Sequence, residues 1–172
     1  MQRTLLSQAI TTLKGELIQD DDRLALATED GLVALEPFRG RSLPFTVGTC
    51  VIFAGYPRFS PRTKKLQSLA VVRCGFSIRR SPGSLSISGR IFAADDGQII
   101  IQVVPQRQPA FFIPVAGYLP NVKEGEFWRL ECVLEEGLAT LVDGQKLRNA
   151  YQSLILKRRK RNHSSRRQKA AA

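Results

Sequence analysis

Two stretches of this chain hold side chains that could bind a polyanion. The first lies near one end, where Lys157, Arg158, Arg159, Lys160, Arg161, Arg166, Arg167 and Lys169 follow one another with no acid among them. Cations at this density neutralise phosphates and release counterions, so the chemistry they suit is nucleic-acid binding. An arm for an anionic membrane would carry Trp, Phe or Leu between its charges, and residues 157–169 carry none. The second stretch reads Gly55-Tyr56-Pro57-Arg58-Phe59-Ser60-Pro61-Arg62-Thr63-Lys64-Lys65. Arg58, Arg62, Lys64 and Lys65 would meet phosphates, while Tyr56 and Phe59 would stack on unpaired bases. Pro57 and Pro61 would stiffen the segment and limit the entropy lost on binding. The alternative is an ordinary exposed loop with Phe59 tucked against the body. Downstream, Arg73, Phe76, Arg79 and Arg80 either extend this basic track or form a solvated tether.

The remaining chemistry-bearing residues point elsewhere. Asp20-Asp21-Asp22 and Asp95-Asp96 are the acidic concentrations. Paired carboxylates can hold Mg²⁺ or do acid–base work. Each cluster falls at a turn signal, however, where Asp is favoured for backbone reasons, and turn residues are the expectation. Cys50, Cys74 and Cys132 form no CxxC and lie in or beside apolar runs, so they read as small buried hydrophobes. His163 is the only histidine and sits in the basic tail, which argues against His-ligated metals and nucleophile–His catalysis. GxxxxGK[ST], GxSxG and HExxH are all missing. The expectation is a protein with no catalytic residues, no metal and no cofactor. Phe111 and Phe112, near Arg107, are adjacent, so in a strand one faces the core and the other faces outward. The outward one is either a stacking platform or the rim of a core.

The elements that position these residues are short strands. The chain has 172 residues, 43% of them hydrophobic, with 26 Lys and Arg against 15 Asp and Glu, for a net charge of +11. Without the eight bases of residues 157–169, 18 bases face the 15 acids, so a near-neutral folded body carries a cationic tail. No apolar run reaches the roughly 18 residues a membrane span needs. Residues 1–12 lack the apolar core of a secretory signal, and an odd cysteine count argues against a disulfide scaffold. A cytoplasmic protein with no membrane partner is expected.

Alternation at period two marks strands at about 13–19, 23–28, 31–36, 47–56 and 66–73. After Pro82-Gly83 the pattern restarts, at about 86–94, 98–104, 110–115, 125–134 and 138–143. Glu29-Asp30-Gly31, Asp95-Asp96-Gly97 and Glu135-Glu136-Gly137 supply hairpin turns. Gly15-Glu16-Leu17-Ile18 matches Gly89-Arg90-Ile91-Phe92, 74 residues later, and the other matched segments drift by a few residues around that offset, as in a diverged duplication.

Five strands with a longer link between the third and fourth resemble the OB-fold, a small Greek-key barrel. Gly15 and Gly89 fit the bend that its first strand requires. The runner-up architectures are a pair of SH3-like barrels or one β-sandwich. The expected fold is all-β: a first barrel over residues 1–74, a linker over 75–85, a second barrel over 86–144, a helix over 145–156 and a disordered basic tail over 157–172. The helix rests on Leu147, Ala150, Tyr151 and Leu154 at helical spacing.

The resemblance implies that the loop after the fourth strand closes over single-stranded nucleic acid. In the first unit that loop is basic. In the second it is only Glu135-Glu136-Gly137, so the second unit reads as a structural or protein-contact module. The expected function is non-enzymatic binding of single-stranded RNA or DNA with low sequence selectivity. The alternatives are a protein-interaction adaptor, or an accessory subunit of a ribosome- or nucleoid-associated complex.

Overall fold

Leu13, Leu17, Leu26, Val33, Leu35, Val51, Phe53 and Leu69 are all buried, and each is flanked along its strand by at least one more exposed residue. That inward–outward alternation makes the chain a set of strands that must curl around their apolar faces. A computed structural model describes residues 7–37, 43–105 and 109–147. Among them are ten strands and no helix. The first five are β1 (Gln8–Asp20), β2 (Arg23–Thr28), β3 (Gly31–Pro37), β4 (Cys50–Phe59) and β5 (Leu66–Gly75). The second five are β6 (Ser84–Asp95), β7 (Gln98–Val103), β8 (Phe111–Ala116), β9 (Phe127–Glu135) and β10 (Leu138–Lys146).

The strand pairings run in a circuit. β6 pairs with β7, β7 with β8, β8 in parallel with β10, β10 with β9, and β9 returns to β6. This closes a five-stranded barrel, compatible with an OB-like fold. The five preceding strands follow the same order of partners, β1–β2–β3–β5–β4 and back to β1, again with the third and fifth strands parallel.

Gly15 and Gly89 stand where the first strand of each set changes partner. Gly15 pairs with Val51 of β4, and Glu16, the next residue, pairs with both Cys50 of β4 and Ala27 of β2. Gly89 pairs with Trp128 of β9, and Arg90 pairs with both Phe127 and Gln102. A Cβ at Gly15 would stand 2.2 Å from the Ala27 carbonyl oxygen, and one at Gly89 would stand 2.4 Å from that of Gln102. The backbones approach too closely for any side chain, which is the physical content of the bend expected there.

Each set of strands has its own core. Leu85, Ile87, Ile91, Ile99, Ile101, Ile113, Val115 and Leu130 centre the second, and Leu17, Leu26, Val51, Phe53 and Leu69 the first. The two are not insulated. Phe59 and Leu134 pack against both cores, and Ala9 of β1 belongs to the second. The early part of β1 also pairs antiparallel with β6, from Gln8↔Ser88 to Thr11↔Leu85, so one continuous sheet runs through both sets.

Two expectations need correction. The helix was to begin at Gln145, but Gln145 and Lys146 continue β10, paired with Arg129 and Trp128. Leu147 extends that edge by donating its N–H to the Phe127 carbonyl at 2.8 Å. Residues 148–156 and the whole basic tail, 157–172, lie outside the described residues. The fourth strand, expected at 47–56, instead spans Cys50–Phe59. Val47-Gly48 form a turn in which the Gly48 N–H donates to the Leu17 carbonyl at 2.7 Å. No helix among the described residues is long and apolar enough to cross a membrane.

Candidate nucleic-acid interface

The basic loop expected over residues 55–65 divides in two. Tyr56, Pro57, Arg58 and Phe59 belong to β4 and pair with Ala70, Leu69, Ser68 and Leu66. Only Ser60 to Lys65 make the connection, and it is a tight one. The Lys64 N–H donates to the Ser60 carbonyl at 2.8 Å, and the Ser60 N–H donates to the Lys65 carbonyl at 2.9 Å. Ser60 Oγ accepts from the Thr63 N–H at 3.2 Å. Lys64 takes a positive φ of 60° to close the turn. The result is a fixed, exposed platform for Arg62, Lys64 and Lys65.

This turn also reaches the closed barrel of β6–β10. Lys64 Nζ donates to Gln98 Oε1 at 2.7 Å, a neutral partner that leaves the ammonium charge uncompensated. The Leu66 N–H donates to the Gly137 carbonyl at 2.8 Å. Neither Arg62 nor Lys65 makes an ion pair among the described residues.

Arg58 and Phe59 serve the junction between the two sets of strands. The guanidinium of Arg58 lies over the ring of Phe111, 4.6 Å from its centroid. Phe59 is partly buried between the two cores, so the tucked-in alternative describes its position. Arg58 also borders a shallow groove with Arg23, Glu36 and Ser68. There Ser68 Oγ donates to Glu36 Oε1 at 2.6 Å, which puts a carboxylate in the groove and disfavours an anion. Tyr56 is half-buried on β4.

Arg79 and Arg80 lie in the irregular connection between β5 and β6, Arg79 exposed and Arg80 half-buried. Lys157, Arg158, Arg159, Lys160, Arg161, Arg166 and Arg167 lie outside the described residues. The structure therefore brings Arg62, Lys64 and Lys65 together and places Arg79 and Arg80 apart from them, beyond the other end of β5.

Two features escaped the sequence reading. One is an aromatic pair on the outer face of the closed barrel of β6–β10. Phe92 of β6 and Phe112 of β8 are 55% and 45% exposed, and their rings meet edge to face with centroids 4.9 Å apart. Phe112 is the outward member of the Phe111-Phe112 pair. Phe92 had no signal in an alternating pattern, because the β6–β7 register shifts between Ile91 and Ala93 and leaves it as the extra, outward residue of a bulge. The other feature is plain in the sequence: from Pro37 to Ala94 there is no Asp or Glu, and there are ten Lys and Arg. Its described residues include β4, β5 and nearly all of β6.

The acids lie elsewhere. Asp21 and Asp22 make the β1–β2 turn, Asp96 and Gly97 the β6–β7 turn, and Glu136 and Gly137 the β9–β10 turn. Asp21 and Glu136 adopt positive φ, 49° and 51°. No three His, Cys, Asp or Glu side chains among the described residues are grouped to hold a metal ion. Of the cysteines, Cys132 is buried as expected, and burial together with the Glu131 carboxylate pushes its thiol up to about 12. Cys74 is half-buried and raised by its burial. Cys50 departs from the expectation, because it opens β4 on the exposed side.

No protein-family model matches the chain, and no curated protein matches it.

Proposed function

We propose that this chain is a non-enzymatic nucleic-acid-binding protein, built as two tandem OB-like barrels, that takes single-stranded RNA or DNA with little sequence selectivity. The observation that carries the reading is the acid-free span from Pro37 to Ala94. Three of its ten cations, Arg62, Lys64 and Lys65, gather on the β4–β5 turn, and two more, Arg79 and Arg80, lie in the β5–β6 connection. Arg62, Lys64 and Lys65 stand on a turn already fixed by its own hydrogen bonds, so little further backbone order is lost when a phosphate arrives. Phe92 and Phe112 offer the exposed ring faces that Phe59, held between the cores, does not. The basic tail adds sequence-independent attraction. Contacts of these kinds carry little base information, hence the low selectivity. The tandem arrangement rests on the shared circuit of pairings and on Gly15 and Gly89 at equivalent crossings.

Fluorescence anisotropy with labelled single strands and a duplex, across a series of salt concentrations, tests the proposal. Single-strand affinity falls with salt by a logarithmic slope of about 0.7 per phosphate contact. The combined Arg62→Ala, Lys64→Ala and Lys65→Ala variant should lower that slope by about 2. A full-length variant with the eight tail bases changed to Gln should lower it by up to about 6 and leave measurable binding. Loss of all binding with the tail variant, and no effect of the turn variant, would mean that the body does not touch nucleic acid, and the adaptor reading would replace this one. Failure of the intact protein to bind any strand would end the proposal.

A further inference from the structure

Phe76, just past β5, is 72% exposed. Its ring does not dangle. It meets Phe45 edge to face, with centroids 5.4 Å apart and planes at 80°. Phe45 in turn packs against the first core. An aromatic ring anchored on one edge and open over most of its surface has already lost rotamer freedom, so a base stacking on it costs little further entropy.

The chain on either side of this ring is cationic. Arg73 lies three residues before it, Arg79 and Arg80 lie three and four residues after it, and Arg73 and Arg79 are exposed. None of the three makes an ion pair among the described residues. The nearest acids along the chain are Glu36 and Asp95. An isolated exposed Phe needs no explanation. An anchored one with three arginines within a few residues and no carboxylate in the same stretch of chain has the makeup of a base-stacking site flanked by phosphate ligands.

We infer that the β5–β6 connection is a second contact for single-stranded nucleic acid, in which one base stacks on Phe76 and the neighbouring phosphates meet Arg73, Arg79 and Arg80. The inference rests on the nucleic-acid reading above and extends it to a separate place. β5 spans Leu66–Gly75, so this contact stands about 30 Å from the cations of the β4–β5 turn. One strand can engage both only if it is long enough to follow the length of β5. Short strands then meet one contact at a time, and longer ones gain from both by effective concentration.

The test uses the full chain with Phe76→Leu and Phe76→Trp. Leu keeps an apolar contact with Phe45 but has no ring face, and Trp keeps the face. Because residue 76 is so exposed, thermal melts followed by the emission of Trp128, the only native tryptophan and a buried one, serve as the folding control. Anisotropy with a labelled oligothymidine of about 20 nucleotides, longer than the roughly 4–16 that one OB-fold covers, should show Phe76→Leu binding about 5- to 150-fold more weakly than the intact protein. Phe76→Trp should bind as the intact protein does, and its added emission should be quenched on saturation. With an oligothymidine of about 6 nucleotides the penalty of Phe76→Leu should shrink, because the β4–β5 turn can hold such a strand alone. If the intact protein binds the long strand, Phe76→Leu binds it equally well and the added emission of Phe76→Trp does not change, the connection is not a contact and only this inference falls. If the intact protein binds no strand, both readings fall together.

Discussion

Arg58 was expected among the phosphate ligands, yet it spends its guanidinium on a protein ring, and the two roles make different numbers. Its carbon centre stands 4.6 Å from the Phe111 centroid, across the junction between β4 and β8. A guanidinium over an aromatic face contributes about 0.5–1 kcal/mol at an exposed site and about 2 kcal/mol or more when desolvated. Both partners are half-buried, which places the pair near 1 kcal/mol, or about 2–4 °C of melting temperature for a chain of this size. Arg58→Ala alone would overstate this, because it also removes the packed stem and the other interactions of Arg58. A double-mutant cycle with Phe111→Leu isolates the pair, since Leu keeps apolar volume against the second core and loses only the ring face. Urea unfolding followed by Trp128 emission gives the four free energies. The expected coupling is about 1 kcal/mol, with Arg58→Lys recovering less than half of it because an ammonium lacks the planar face. Additivity within about 0.3 kcal/mol would refute the reasoning. So would a loss of oligonucleotide affinity in Arg58→Ala exceeding that of Arg62→Ala, Lys64→Ala and Lys65→Ala taken singly. Arg58 would then be a phosphate ligand first and a brace second.

Gly89→Ala should destabilise the protein by about 1–3 kcal/mol, since the new methyl would stand 2.4 Å from a backbone oxygen that cannot move without disturbing the β6–β7 ladder. A melting temperature equal to or above that of the intact protein would show that the crossing tolerates a side chain. Glu126 provides the pH dependence. The Lys146 ammonium and the Trp128 indole N–H, at 3.0 Å, hold its carboxyl below the ordinary carboxylate range. A folded-state value below the unfolded one gives stability that is present above the unfolded value and lost as pH falls through the folded one. Urea unfolding of the intact protein should therefore weaken between pH 7 and pH 3, and Glu126→Gln should flatten that dependence. An unchanged dependence would mean that the Lys146 contact contributes nothing to it.

Strand existence was legible from alternation alone, and β2, expected at 23–28, spans Arg23–Thr28. The misplacement of β4 has a local cause. Tyr56-Pro57-Arg58-Phe59 looks like a loop because proline removes a ladder donor. In the fold, β1 pairs with β4 only up to Gly55, so beyond that point β4 has β5 on one side alone and the missing N–H of Pro57 leaves no gap in a ladder. The early half of β1 was invisible for a different reason. Gln8 to Thr11 owe their strand to β6, more than seventy residues away, and local periodicity carries no information about such a partner. Phe59 shows the same limit at the site. Its neighbours in sequence are cations, but its neighbours in space are two apolar cores, and only the second fact decides what its ring can reach.

The net charge of +11 takes on a different meaning once it is placed. Over residues 1–156, eighteen Lys and Arg face all fifteen acids of the chain, so this part is close to neutral. It cannot hold a polyanion by bulk charge. What it has is segregation, with acids at the β1–β2, β2–β3, β6–β7 and β9–β10 turns and bases at the β4–β5 turn and the β5–β6 connection. Screening makes that segregation effective only where acids and bases stand farther apart than about 8 Å, the distance beyond which charges hardly feel one another at physiological salt. A strand lying along β5 would meet cations at its two ends, with the acidic β9–β10 turn close beside the β4–β5 turn, where the Leu66 N–H reaches the Gly137 carbonyl. The tail, which carries most of the excess, would raise the concentration of any polyanion near the protein without choosing where it lies. On the proposed function, affinity and placement are therefore separable properties of one chain, governed by different residues and by different dependences on salt.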